Sequence, residues 1–280
     1  MSSAPRRRYR SERPRSRRPT GQQATSEPAI TSAAVVPQAE PYQGGVGPLG
    51  VLLCHGFTGS PHSMRPWALH LEAEGFRVSL PRLPGHGTSW QELNRTTWVD
   101  WYAAVDRAFG ELTRQCERVF VAGLSMGGAL ALRLAEQHGD EVAALSLVNP
   151  CIAIADPRIR ASRLLSVIPS LAGIGNDIAK PGVGEFGYDR NPLRALHSQT
   201  LLWADVRANL HRVTQPTLVH WSRTDHVVDP SSLALLRAGL PQLQVVTLER
   251  SYHVATLDYD AEEIFRGSAE FFRRHVGDRA

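Results

Sequence analysis

Three residues far apart along the chain have the types needed to activate a hydroxyl as a nucleophile: Ser125, Asp225 and His253. Ser125 lies in Gly123-Leu124-Ser125-Met126-Gly127-Gly128, after the apolar run Val119 to Ala122 and before the Ala/Leu-rich run Ala129 to Gln137. Strand, Gly-x-Ser-x-Gly and helix in that order make a nucleophile elbow. The serine must occupy a sharp, strained turn, so the positions two before and two after it cannot carry bulk, and glycine stands at both. The helix that follows aims its positive N-terminal end at the same place.

A serine hydroxyl is a poor nucleophile at neutral pH, so it needs a base, and the base needs an acid to orient it. Behind such an elbow the expected chain order is Ser, then Asp or Glu, then His, each on a loop after a strand. Asp225 follows the apolar run Pro216–Trp221, and His253 follows Gln244–Leu248. Asp229 competes as the acid, but it opens the next helical run and reads as a cap. His226 competes as the base, but it precedes the last strand. His55 and His86 read as histidines that anchor loops. An oxyanion needs two backbone N–H donors fixed in advance. They are expected at Met126, after the nucleophile, and at Phe57, in the loop after the first buried strand. The chemistry is acyl transfer to Ser125 followed by release to water, and it calls for no metal or organic cofactor. Neither a phosphate-binding loop nor a dinucleotide fingerprint is present.

The elements that must position these groups alternate. Gly50–Cys54, Phe76–Leu80, Glu117–Ala122, Val142–Val148, Pro216–Trp221 and Gln244–Leu248 read as strands. Helical runs fall at Pro61–Glu74, Thr97–Gln115, Ala129–Gln137, Ser231–Ala238 and Ala261–His275. Such alternation predicts an α/β fold with a mostly parallel, doubly wound sheet flanked by helices. Ligands in such sheets bind at the carboxyl ends of the strands, where the His55-Gly56-Phe57 loop, the Pro84-Gly85-His86-Gly87 loop and Ser125 all fall. Between about residues 150 and 212 the alternation stops, which predicts an inserted cap or lid.

The formal charge of +4 is unevenly placed: residues 1–20 hold eight Arg against Glu12, or +7, which leaves −3 for the other 260 residues. The basic balance therefore belongs to the arm and gives the folded body no nucleic-acid groove. Residues 1–43, rich in Arg, Pro and Ser, read as a solvated, disordered arm, with residues 44–280 forming the domain. The arm's charge also suits transient contact with an anionic membrane. No apolar run reaches the ~18 residues that span a bilayer. Cys54, Cys116 and Cys151 offer neither a disulfide framework nor metal spacing and suit a reducing compartment. A cytoplasmic, at most membrane-peripheral, location is expected.

HGFTGSPHSMRP (55–66), LPRLPGHGT (80–88), GLSMGG (123–128), DHVV (225–228) and SYHVATLDYD (251–260) resemble the bacterial monoacylglycerol lipase and carboxylesterase family of α/β-hydrolases. The resemblance runs from about Gly50 to Phe272. It implies the α/β-hydrolase fold, Ser125, Asp225 and His253 as triad, and Phe57 and Met126 as oxyanion donors. It also implies that Glu185 in the cap accepts hydrogen bonds from the hydroxyls of a glycerol-like alcohol, and that Asn149 and Ile174 lie on the substrate side. A solvated loop carboxylate is the plainer reading of Glu185. The expected function is hydrolysis of small lipid-like esters, monoacylglycerols among them. The alternatives are an aminopeptidase-like amidase or an acyltransferase on the same fold, or a non-catalytic binding module.

Overall fold

The computed structural model describes residues 34–155, 168–173 and 175–277. The expectations for residues 1–33 and for Ile174 lie outside the described residues. Strands run β1 (Tyr42–Gly44), β2 (Leu49–Cys54), β3 (Arg77–Leu80), β4 (Arg118–Leu124), β5 (Val142–Val148), β6 (Ser170–Ala172), β7 (Arg190–Pro192), β8 (Thr217–Ser222) and β9 (Leu243–Leu248). The helices are α1 (Arg65–Ala73), α2 (Trp90–Leu93), α3 (Trp98–Thr113), α4 (Met126–His138), α5 (Leu193–Asn209), α6 (Ser231–Gly239) and α7 (Ala261–Arg274). Among the described residues no helix is long and apolar enough to cross a membrane.

Seven strands form one sheet in the order β1-β3-β2-β4-β5-β8-β9. All neighbours pair in parallel except β1, which runs antiparallel to β3 with Tyr42 opposite Leu80. The central strands are apolar on both faces because helices cover both. In β4, Val119 and Val121 join one core with Trp101, Val105, Leu130, Leu202 and Leu236, from α3 to α6. Phe120, Ala122 and Leu124 join the other with Trp67, Leu71, Ile264 and Phe272, from α1 and α7. One run of alternating directions thus serves two hydrophobic layers.

The body differs from the expected outline at two places. It begins before residue 44: Ala39 is fully buried, Val36 N–H donates to Gly87 O at 2.9 Å, and β1 extends the sheet edge. Tyr42 and the short Gly-rich strand carry too little apolar pattern to announce this pairing. Within the stretch 150–212, expected as a cap, α5 packs into the same core as the sheet. Leu202 and Val206 enter the core, and Asp205 Oδ2 lies 2.9 Å from Arg133 Nε on α4. The β6–β7 hairpin and the strap 175–189 are other described parts of that stretch.

Candidate active site

The carboxyl ends of β2, β4, β5, β8 and β9 lie side by side, so the loops that leave them converge. Ser125 ends β4 with φ 56° and ψ −118°, a conformation that L residues avoid. Both flanking glycines are required by close approach. A Cβ on Gly123 would stand 2.5 Å from Gly127 O, and one on Gly127 would stand 2.0 Å from Cys54 O. The turn is tied on either side: Ser125 N–H donates to Val148 O at 3.0 Å, and Ser125 O accepts from Cys151 N at 3.1 Å.

His253 Nδ1 lies 2.7 Å from Asp225 Oδ2, with both side chains buried. The other oxygen of Asp225 accepts from Val227 N and Val228 N, each at 2.8 Å, so the carboxylate has one orientation. Burial opposes charging of the His253 imidazole, but the neighbouring carboxylates, Asp225 first and then Glu185 and Asp177, outweigh it and raise its pKa above the ordinary value of 6.5. Ser125 and His253 line one cavity of about 460 Å³. The competitors go elsewhere. Asp229 accepts from Ser231 N and Ala155 N, at 2.8 and 2.6 Å, and so holds the first turn of α6. His226 pairs with Asp177 at 2.8 Å. His55 accepts from Leu83 N at 3.1 Å and lies 3.0 Å from Gly56 O, which joins two loops through a neutral ring. Burial lowers its pKa to about 4.

Phe57 lines the cavity, its ring edge packed near Trp101 and His86. Met126 is fully buried at the start of α4. Cys151, Ile154, Leu196, Trp203 and Val227 give the cavity apolar walls, while Asn176, Asp177 and Glu185 give it a polar side. Glu185 is half-buried, and its carboxyl group lies over Gly59, where a Cβ would stand 2.5 Å from Oε1. Burial raises its pKa to about 7, against a smaller opposing pull from His253. A carboxyl group so poised both accepts and donates hydrogen bonds near neutral pH.

Asn149 departs from its expected place. It is fully buried and is not among the residues that line the cavity. Its Nδ2 donates to Ser222 Oγ at 2.9 Å and to His253 O at 2.8 Å, while its Oδ1 accepts from Ser222 N at 2.8 Å. It links β5, β8 and the His253 loop.

Several residues that shape the site escaped the sequence reading. Asn176 Oδ1 accepts from Glu185 N at 2.6 Å, and its Nδ2 donates to Val183 O at 3.0 Å, so it braces the turn that presents Glu185. Asp258 accepts four backbone N–H groups, from Ala179, Lys180, Tyr252 and Tyr259, at 2.7 to 3.0 Å. Asp260 accepts from Arg250 N and Ser251 N, both at 2.9 Å. The available signal was SYHVATLDYD itself, a stretch with two carboxylates among apolar residues. Among the described residues no group of three or more His, Cys, Asp and Glu is arranged to hold a metal ion.

The pattern of the alpha/beta hydrolase family matches residues 51–266, most of the chain. The chain belongs to that family. It is 43% identical over 247 residues to the thermostable monoacylglycerol lipase of Bacillus sp. (strain H-257), a match that covers 87% of this chain and 98% of that protein. It is 28% identical over 248 residues to a carboxylesterase of Bacillus subtilis (strain 168), which covers 86% of this chain and 98% of that one. A solved structure reported for LipS and LipT, two metagenome-derived lipolytic enzymes, superimposes with a TM-score of 0.84 at 39% identity, over 86% of this chain and all of the other. This hydrolase is therefore a serine carboxylic-ester hydrolase of the α/β-hydrolase fold, acting on small-molecule esters.

Proposed function

We propose that the hydrolase cleaves monoacylglycerols and short-to-medium acyl esters through Ser125, His253 and Asp225. The observation that carries the assignment is the 2.7 Å contact between His253 Nδ1 and Asp225 Oδ2, with the imidazole on a cavity shared with the strained Ser125. Asp225 accepts the Nδ1–H, which leaves Nε2 as the basic nitrogen. Nε2 takes the Ser125 proton as Oγ bonds to the acyl carbon, and the carbonyl π electrons move onto oxygen. The N–H groups of Phe57 and Met126 hold that oxyanion. Collapse breaks the ester C–O bond, and the leaving alkoxide receives the proton from Nε2. Water then repeats the cycle on the acyl-enzyme, its proton passing through Nε2 back to Ser125.

Substrate orientation follows from the two sides of the cavity. The acyl chain lies against Ile154, Leu196, Trp203 and Val227, and the alcohol faces Glu185. A carboxylate can accept two hydroxyl hydrogen bonds at once, which favours a 1,2-diol over a simple alcohol. The relative with 43% identity is itself a monoacylglycerol lipase, which supports the same choice. The eight arginines of the N-terminal arm add a salt-sensitive contact with anionic bilayers, to be read as vesicle co-sedimentation that deletion of residues 1–33 abolishes.

The deciding experiment compares wild type with Ser125→Ala on a p-nitrophenyl ester and on a monoacylglycerol, alongside fluorophosphonate labelling. Loss of turnover on both and of labelling is expected. Wild-type turnover in the variant would sink the mechanism.

A further inference from the structure

We propose that Asp177, a residue of the cap strap, is a positioning residue for His253: its carboxylate joins the two loops that carry Asp225 and His253 and fixes the imbedded imidazole at the rim of the cavity. The proposal rests on His253 being the base.

The bonds are specific. Asp177 Oδ2 accepts from His253 N at 3.1 Å and from His226 N at 3.2 Å, while Oδ1 lies 2.8 Å from His226 Nδ1. Its backbone O accepts from Val254 N at 3.1 Å. His226 is the neighbour of Asp225, so one buried carboxylate holds the backbone beside the acid and the backbone of the base itself. A polar group with three donors around it has one low-energy orientation, and it passes that orientation to whatever it binds. The anchor is itself fixed. Immediately downstream, Ala179 N and Lys180 N are held by Asp258, on the His253 loop. At the far end of the strap, Tyr188 Oη donates to Gly85 O at 2.7 Å, and Tyr188 N donates to Thr58 O at 3.1 Å beside Phe57. The strap is therefore sewn to the acid and base loops at one end and to the oxyanion loop at the other.

Charge adds to geometry. The groups that face His253 are Asp225, Glu185 and Asp177, all carboxyls, and each favours the imidazolium form. Asp177 in turn faces His226, whose ring stacks edge-on to Tyr252 with its side chain about half exposed. Much of the Asp177–His226 pair is open to water and contributes little by itself. The buried bonds to the two backbones are what matter.

The test is steady-state kinetics and a pH profile for Asp177→Ala and Asp177→Asn, with folding checked by thermal melting. Asn is isosteric: its oxygen keeps the two backbone bonds, and its NH2 faces a His226 ring that accepts after a tautomer change. Asp177→Ala is expected to lower kcat about 10- to 100-fold with KM within about twofold, as small misplacements of a reacting group do. Asp177→Asn is expected to restore most of kcat while its alkaline-rising pH limb moves below that of wild type. A folded Asp177→Ala enzyme with wild-type kcat, or one whose loss lies in KM alone, would overturn the proposal. If the Ala variant does not fold, Asp177→Ser, whose shorter side chain cannot reach both backbones, takes its place, and a folded Ser variant with wild-type kcat overturns the proposal. Turnover by Ser125→Ala would instead remove the underlying triad assignment, so the two failures are distinguishable.

Discussion

Gly127 at the start of α4 lies flat against the carbonyl of Cys54 at the end of β2, with room for a hydrogen but not for a methyl group. A Cβ there would meet that oxygen at 2.0 Å, and His55 O at 2.8 Å. Both obstacles are backbone in adjoining parts of the fold, so neither can swing aside. Gly127→Ala is expected to lower stability by about 3 kcal/mol or more and to abolish fluorophosphonate labelling, because relief of the clash must push α4 and Ser125 off the sheet. Urea unfolding together with labelling checks this. A stable, labelled variant would contradict the packing.

If Glu185 meets the alcohol of the substrate, substrate choice depends on pH. Burial raises the Glu185 pKa to about 7, and Glu185 is one of the carboxyl groups that raise the pKa of His253 above 6.5. With His253 proposed as the base, activity is expected to rise with pH, with its midpoint above 6.5. Glu185→Gln removes one of the carboxylates that favour the imidazolium, so the limb should move to lower pH. The same change should raise KM for a monoacylglycerol about tenfold, near the ~1.5 kcal/mol of a hydrogen bond to a charged group, and leave KM for p-nitrophenyl acetate nearly unchanged. Equal effects on both substrates would show that Glu185 does not meet the alcohol.

Asn149 carries φ 43° and bonds to Ser222 at the end of β8 and to His253 O on the loop after β9. Asn149→Ala leaves those partners unsatisfied in a buried place, at a cost of about 2–3 kcal/mol, and loosens the His253 loop. Its kcat should fall for every ester tested, with little change in relative preference among them. A change in preference would return Asn149 to the substrate side, where its family resemblance had put it.

These residues mark what was legible beforehand. The parallel strands were, because burial on two faces leaves continuous apolar runs such as Val142–Val148. The places of Ser125, Asp225 and His253 after strands were, because they follow from connectivity alone, and the fold brings Ser125 and His253 to one cavity and His253 to Asp225. Edge strand β1 was not, since Tyr42–Gly44 pairs through backbone atoms that leave no mark on side-chain pattern. Nor were the tasks of Asn149, Asp177 and Asp258. An amide or carboxylate that holds backbone N–H groups has the same letter as one that meets a substrate, and only the partner tells them apart. Asp258 and Asp260 showed in the sequence as an unusual motif but not as clamps.

Glu136 supplies a prediction away from the cavity. It is buried within α4, with Arg133 Nη1 3.3 Å from one carboxylate oxygen and no hydrogen-bond partner for the other among the described residues. Burial raises its pKa to about 8, with Arg133 pulling the other way. The sign follows by linkage. A carboxyl whose folded pKa exceeds its unfolded value of about 4.5 stays protonated in the fold after the unfolded chain has ionised. Stability therefore falls as pH rises from about 4.5 to about 8, and the cost is complete above that. Glu136→Gln keeps the shape and cannot ionise. It should match wild type near pH 5 and exceed it by about 2 kcal/mol at pH 9, after allowance for the Arg133 pairing that the variant weakens. Guanidinium unfolding at the two pH values measures the difference, and equal stability at pH 9 would mean that the Glu136 charge is fully compensated in the fold.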